Sequence, residues 1–227
     1  MKKIAIISDI HGNIPALDAV LKDIKSRNIE SIYCLGDLAG KGPSSAEAVD
    51  SIRKHCEVVI KGNWDFFITE QNYEMLTWHQ NQLGEERLEF MKDLPLYEEF
   101  YMSGRLIRLC HASPNDLFHR VYLSTENEQR MKLFMPTKTL NKEADVVGYG
   151  DIHGAHIDTF QGKTIFNVGS VGNPLDIPQP SYAIIEGMYG SKEQAPFAIS
   201  LVRVQYNIEQ AVNQAMETDM PDKQEYI

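Results

Sequence analysis

Three times in its first 65 residues the chain runs through a short β-branched stretch and stops it on a polar cluster beside glycine. Lys3 to Ser8 closes on Asp9-Ile10-His11, Ser31 to Leu35 on Gly36-Asp37, and Glu57 to Ile60 on Gly62-Asn63-Trp64-Asp65. A short apolar run bounded by turn residues reads as a buried strand. Between the first two runs, Leu17, Val20, Leu21 and Ile24 fall on one face at helical spacing, with Asn13 placed to cap and Pro15 tolerable in the first turn. Ala46, Val49 and Ile52 predict a second helix after Pro43. A β-α-β-α-β start of this kind makes a parallel sheet, and such sheets bind ligands outside the carboxyl ends of their strands. The three polar clusters are therefore expected to converge.

Further along, Tyr73 to Lys92 reads as helical, and Leu94-Pro95 ends it. Tyr97 to Tyr101 and Arg105 to Cys110 form a pair of strands ending at His111. Glu126 to Phe134 is helical, and Asp145 to Val147 leads into Gly150-Asp151-Ile152-His153. Strand-like runs near Ile157, Thr164 to Val168, Tyr182 to Ile185 and Phe197 to Val204 are expected to form hairpins of a second sheet. Ile208 to Met216 reads as a helix. No composition break divides the 227 residues, so one domain over 1–227 is expected, with 216–227 a mobile acidic tail.

A formal charge of −10 and a pI near 5.2 repel nucleic acid duplexes and anionic membranes, so an anionic substrate needs a local positive centre. The apolar run at the N-terminus is too short for a signal-peptide core or a membrane span, which points to the cytoplasm. Cys34, Cys56 and Cys110, odd in number and set among apolar neighbours, suit reduced packing thiols. Cys110 and His111 are adjacent on a strand and point to opposite faces, which excludes their working as a nucleophile and base pair.

In chain order the strand ends carry Asp9, His11, Asp37, Asn63, His111, Asp151 and His153. Carboxylates, imidazoles and an amide oxygen, with no thiol, are hard-to-borderline ligands suited to Mn²⁺, Fe or Zn²⁺. Alternation along a strand presents residues i and i+2 to one side, so Asp9 with His11, and Asp151 with His153, are each expected to chelate one ion. Singly each cluster is an ordinary turn; as an ordered set of five they are not.

This ordered set resembles the signature of the calcineurin-like metallophosphoesterases: Asp-x-His, Gly-Asp, Gly-Asn-His-(Asp/Glu), His and Gly-His-x-His. More narrowly, Ser8 to Asn13, Gly40 to Pro43 and Asn167 to Gly172 resemble its small bacterial phosphodiesterase-like branch. The resemblance implies two facing mixed β-sheets flanked by helices, a four-layer α/β/β/α sandwich. It implies two divalent metal ions, Mn most readily, with Fe, Zn or Ni as alternatives. Asp9, His11 and His153 would hold one, Asn63, His111 and Asp151 the other, and Asp37 would bridge. The activity implied is hydrolysis of a phosphodiester or nucleotide phosphoanhydride by a hydroxide between the metals, with a small phosphorylated substrate, nucleotides included.

Two positions depart from the family pattern. Asp151 stands where the family usually has His; a carboxylate still ligates, if it reaches. Trp64 stands where the family usually has the His that assists the leaving group, and an indole cannot transfer a proton at neutral pH. His79 and His119 are the candidate replacement acids, Asp65 is placed to orient its neighbours, and Asn13, Asn63 and Trp64 are expected to face substrate. Asn13, Asn167 and Ser170 either support the ligands or simply form turns and a helix cap. Competing readings are a phosphomonoesterase, a protein phosphatase, for which Arg120 is the nearest phosphate-clamping arginine, and a weakly catalytic scaffold like the retromer subunit of similar fold. Retention of Asp9, His11, Asp37, Asn63, His111 and His153 favours the enzyme. Residues 66–95 and 113–143 are expected to carry specificity, and the oligomeric state stays open.

Overall fold

The computed structural model describes residues 1–227. Its parallel start is β1 (Lys2–Ile7), α1 (Ile14–Ser26), β2 (Ser31–Cys34), α2 (Ser45–His55) and β3 (Val58–Val59), with β1, β2 and β3 paired side by side in one direction. Then follow α3 (Asn63–Glu70), α4 (Glu74–Lys92), the antiparallel pair β4 (Tyr97–Met102) and β5 (Arg105–Cys110), α5 (Asn127–Met131) continued by a 3₁₀ turn (Lys132–Phe134), and β6 (Val146–Tyr149). The chain ends with β7 (His156–Phe160), β8 (Lys163–Asn167), β9 (Ser181–Gly187), β10 (Ala198–Arg203), α6 (Ile208–Met216) and α7 (Lys223–Tyr226).

Two mixed five-stranded sheets result, ordered β10-β9-β1-β2-β3 and β4-β5-β6-β8-β7. The alternation of side chains along each strand decides the layering. Ile4 and Ile6 of β1 meet Ile107 and Leu109 of β5 in the core between the sheets, along with Phe166 and Ile185. Ala5 and Ile7 face the other way, onto Leu17, Val20 and Ile24 of α1 and Val49 and Ile52 of α2. On the outer face of the second sheet, Val147, Tyr149 and Ile165 pack under Leu133 and Phe134. No helix is long and apolar enough to cross a membrane.

Three differences from the sequence reading have physical reasons. The β9–β10 hairpin, expected in the second sheet, completes the first, where β9 runs antiparallel to β1. The side chains of β9 are almost all covered whereas β10 is mostly exposed or half-exposed, so β9 needs an interior position and β10 takes an edge; local pattern identifies a strand but not its sheet. Helix α3 escapes notice because Trp64, Phe66, Phe67, Ile68 and Thr69 have weak helix propensity. The tail beyond Met216, expected to be mobile, contains α7, buries Met220, and is tethered by Trp78 Nε1–H donating to Asp219 at 2.7 Å.

The second sheet carries one fully buried cation. Arg108 on β5 pairs with Glu99 at 2.7 Å and donates to the carbonyls of Leu133, Met135 and Lys142, fixing the segment that leads into β6. Arg108→Met leaves the Glu99 carboxylate buried without its cation and is expected to cost about 3–5 kcal/mol in denaturant unfolding. Arg108→Met/Glu99→Met, which removes both charges, is expected to lose less than the single variant.

Candidate metal centre

The predicted ligands lie past strand ends at one edge of the two sheets, all in loops except Asn63, which opens α3. Backbone bonds lace these loops together. The N–H groups of Ile10 and His11 donate to the Asp37 carbonyl at 2.8 and 3.0 Å, Gly150 N–H donates to the His111 carbonyl at 2.8 Å, and Gly172 N–H donates to the Asp9 carbonyl at 2.8 Å. Asp9, His11, Asp37, Asp151 and His153 all have positive φ, between 48° and 63°. These residues are thus delivered by left-handed turns, not by continued strand alternation, a conformation that Asp and His tolerate better than branched residues; Asp9 and His11 fall together, whereas Asp151 and His153, expected to share one ion, fall in different groups. Two glycines permit the closeness. A Cβ on Gly62 would lie 2.1 Å from Asp37 Oδ1, and one on Gly150 would lie 2.7 Å from Asp9 Oδ2.

The first group comprises Asp9, His11, Asp37 and His153, whose ligand atoms all lie within 4.8 Å of one another. His153 Nε2 is 3.1 Å from Asp9 Oδ1 and 3.4 Å from His11 Nε2. His153 Nδ1–H donates to the Asn173 carbonyl, so its Nε2 presents a lone pair inward. On the other side, His111 Nδ1–H donates to the Leu35 carbonyl at 2.8 Å, which aims Nε2 at Asp37 Oδ1 (3.4 Å) and Asp151 Oδ1 (3.9 Å). Asn63 donates an N–H to Asp151 at 2.6 Å, leaving its Oδ1 as the atom available to a cation. Asp151 is buried and reaches this second group despite its short side chain. It also holds Arg120 Nε at 3.2 Å.

These residues fit divalent metal. Asp9 Oδ1, His111 Nε2 and Asp151 Oδ2 are buried without a hydrogen-bond partner, although buried polar atoms are ordinarily paired. Imidazoles compensate part of the negative charge. Burial would raise the Asp9 carboxyl, but His153, His111 and His11 outweigh it and hold it well below the usual carboxylate range. Burial, reinforced by Asp9 and Asp65 and opposed by His111, lifts Asp37 to about 7. His111 moves oppositely: burial disfavours its cation, yet Asp37, Asp9 and Asp151 raise it to about 9. His11, buried beside Lys41 and His153, is pushed well below its ordinary value.

Asp65 lies beneath the ligands and accepts the N–H groups of Asp37, Leu38 and Gly62 at 2.8–2.9 Å, which anchors the backbone of the Asp37 loop. Asn13 caps α1 by accepting Ala16 N–H and donates to the Gly172 carbonyl; both ends of its amide are occupied inside the protein. Ser170 Oγ donates to the Asp9 carbonyl, and Asn167 donates to the Gly150 carbonyl. Trp64, half-buried, gives its backbone N–H to Asp37 Oδ1 and sets its ring edge-on to His11, centroids 6.0 Å apart. His79 bonds Ser45 Oγ at 2.9 Å and is lowered to about 4 by burial. His119 lies beside Arg120 in the loop after β5, its Nε2 buried without a partner. Lys41 and Asn173 also border the site, and the sequence pattern does not point to either. Lys41 lies in the Gly40 to Pro43 segment, but a lone lysine in a turn gives no signal of where it points.

Residues 1–188 match the family model of the calcineurin-like phosphoesterase superfamily domain, and the chain belongs to that family. It is 28% identical to an uncharacterized protein of Methanocaldococcus jannaschii, with 96% of this chain and 94% of the relative covered. Among solved structures it is similar to a metallophosphoesterase of Sphaerobacter thermophilus, at 25% identity and TM-score 0.76, covering 97% of this chain and 95% of that one. A hypothetical protein of Pyrococcus horikoshii shares the fold, at 20% identity and TM-score 0.79, with 98% and 96% covered. The four-layer sandwich of two mixed sheets is that of the Sphaerobacter thermophilus metallophosphoesterase.

Two outcomes follow for metal binding. A cation must displace the proton that the surrounding carboxylates keep on His111, so metal uptake releases protons near neutrality and apparent affinity rises with pH up to about 9; calorimetric titrations in buffers of different ionisation enthalpy read both. Asp65→Asn, which removes a charged acceptor from three backbone N–H groups, is expected to lower metal affinity by about 10- to 100-fold, measured by competition with a chromophoric chelator.

Proposed function

We propose that the protein is a metal-dependent phosphoesterase that hydrolyses phosphodiester or nucleotide phosphoanhydride bonds of a small substrate with a pair of divalent cations, Mn²⁺ by preference. One observation carries this reading: the two oxygens of Asp37 face different imidazoles, Oδ2 lying 3.5 Å from His11 Nε2 and Oδ1 3.4 Å from His111 Nε2. A carboxylate so placed can be shared by two ions, one on Asp9, His11 and His153, the other on Asn63, His111 and Asp151. Three carboxylates beside an amide oxygen and no thiol favour the harder metals. Bound there, divalent cations supply Lewis acidity toward the phosphoryl oxygens and lower the pKa of water.

The protein's own part is positioning. Asp65 holds Asp37 through its backbone, and the Leu35 and Asn173 carbonyls fix the tautomers of His111 and His153. Trp64 brings no transferable proton, and His79 is neutral at pH 7 because burial holds it near 4. His119 remains as the imidazole to test as a donor. Without general acid help, typically worth ~10²–10⁴-fold, reactions with good leaving groups are favoured. Arg120 supports a second reading: its side chain is 54% exposed while paired to Asp151, and a guanidinium grips the terminal phosphate of a monoester bidentately. The cytoplasm suits this protein, since Cys34 and Cys110 are buried free thiols.

Metal-stripped protein restored with Mn²⁺ is expected to hydrolyse bis(p-nitrophenyl) phosphate, and Asp37→Ala to fall to background; the ratio to p-nitrophenyl phosphate chooses between diesterase and monoesterase. Absence of turnover with Mn²⁺, Fe²⁺, Zn²⁺ and Ni²⁺ would sink the enzymatic reading in favour of a scaffold. With aryl and alkyl esters of matched binding, the aryl ester is expected to react faster by ~10²-fold or more.

A further inference from the structure

A cavity of about 310 Å³ opens beside Trp64, a volume at the small end of those that take small ligands. It adjoins the metal ligands by three routes. Trp64 follows Asn63 in the chain and sets its ring edge-on to His11, centroids 6.0 Å apart. The backbone carbonyl of Asn173, another wall residue, accepts from His153. Lys41, four residues after Asp37, has its ammonium 5.6 Å from the centre of the Trp64 ring, and its charge acts on Asp37, Asp9 and Asp151. The far wall is made by the end of the chain, Pro221 and Tyr226, with Met75 and His79 from α4.

We propose that this cavity receives the leaving group of the substrate, as a flat, uncharged aromatic group lying against Trp64 and Tyr226, while Lys41 holds the phosphate at the border between cavity and metal ligands. The proposal rests on the phosphoesterase reading and adds the class of leaving group to it. Trp64 and Tyr226 offer ring surface, which binds aromatic and base-like groups by stacking. Met75 and Pro221 add apolar wall. Two carboxylates, Asp222 and Glu225, also line the cavity; they oppose a second phosphate, so an aryl or nucleoside group fits here better than a pyrophosphate. Lys41 is the one lysine or arginine in the lining, and it stands on the side of the metal ligands, where a phosphate linked to such a group would lie.

The test uses the full chain loaded with Mn²⁺ and two non-hydrolysable probes, phenylphosphonate and methylphosphonate, titrated by calorimetry. The wild type is expected to prefer the phenyl probe by roughly 10-fold. Tyr226→Ala should abolish most of that preference with methylphosphonate affinity within about 2-fold of wild type, and Tyr226→Phe should keep the preference, since only the ring is needed. Lys41→Met should weaken both probes by a similar factor, about 10-fold. Equal affinities in the wild type, a preference that survives in Tyr226→Ala, or unchanged binding in Lys41→Met would each overturn the assignment. The wild-type ratio needs no variant to fold, and unchanged melting temperatures mark the variants as intact. A ring preference without Mn²⁺-dependent hydrolysis would sink the phosphoesterase reading, and with it the leaving-group role, leaving the cavity as a binding site for an aromatic phosphate; hydrolysis without a ring preference would overturn the cavity assignment alone.

Discussion

The Asp65 carboxylate, fully buried at the start of α3, accepts three backbone N–H groups, those of Gly62, Asp37 and Leu38. These belong to two different strand-end loops, so one side chain ties the turn after β2 to the turn after β3. Asp37 is thereby held with its carboxylate between His11 and His111, and its carbonyl receives the N–H groups of Ile10 and His11 from the loop after β1. Three parallel strands are thus joined at their carboxyl ends by a lattice of short polar bonds in an apolar surround. Each such bond gains strength from the low dielectric around it, and each would be costly to leave unmade.

Charge is the second constraint. Asp9, Asp37, Asp65 and Asp151 are all buried at one edge of the sandwich, and isolated carboxylates do not stay ionised in such surroundings. The protein meets part of this demand with His111, which its carboxylate neighbours raise to about 9, and with Lys41 and Arg120 at the periphery. The remainder is met by what the donor set is built to hold. Three atoms of the ligand groups, Asp9 Oδ1, His111 Nε2 and Asp151 Oδ2, are buried without protein partners. The pairing of Asp151 with Arg120 offsets the extra negative charge that a carboxylate brings at a position where the family usually has a neutral imidazole. Trp64 alters the other departing position differently, exchanging a proton carrier for ring surface at the cavity mouth.

Much of this was legible beforehand. The short apolar runs of β1, β2 and β5, each bounded by turn residues, and the helical spacing of α1 and α2 identify those elements, because buried strands are apolar throughout and a surface helix must bury one face. The order of Asp9, His11, Asp37, Asn63, His111, Asp151 and His153 at strand ends declares the donor set. Other features were not legible. Asn13 looked equally suited to supporting the ligands and to capping a helix; its amide spans Ala16 and Gly172, a partner 159 residues away. His79 looked like a candidate acid until its place under the α4 surface, against Ser45, made it a neutral hydrogen-bonding group.

By itself the sequence determined which side chains could meet a metal and that they would stand at the carboxyl ends of strands, since both follow from residue chemistry and local periodicity. Only the tertiary structure decided how they meet. Left-handed turns at Asp9, His11, Asp37, Asp151 and His153, permitted by close-packed Gly62 and Gly150, replace the strand alternation that spacing alone suggested. The sheet to which β9 belongs, the docking of the last turn beside Trp64, and the approach of Lys41 to the ligands likewise depend on contacts between segments far apart in the chain. Local propensity carries no information about such contacts, because they are chosen by the burial and pairing available once the two sheets have packed.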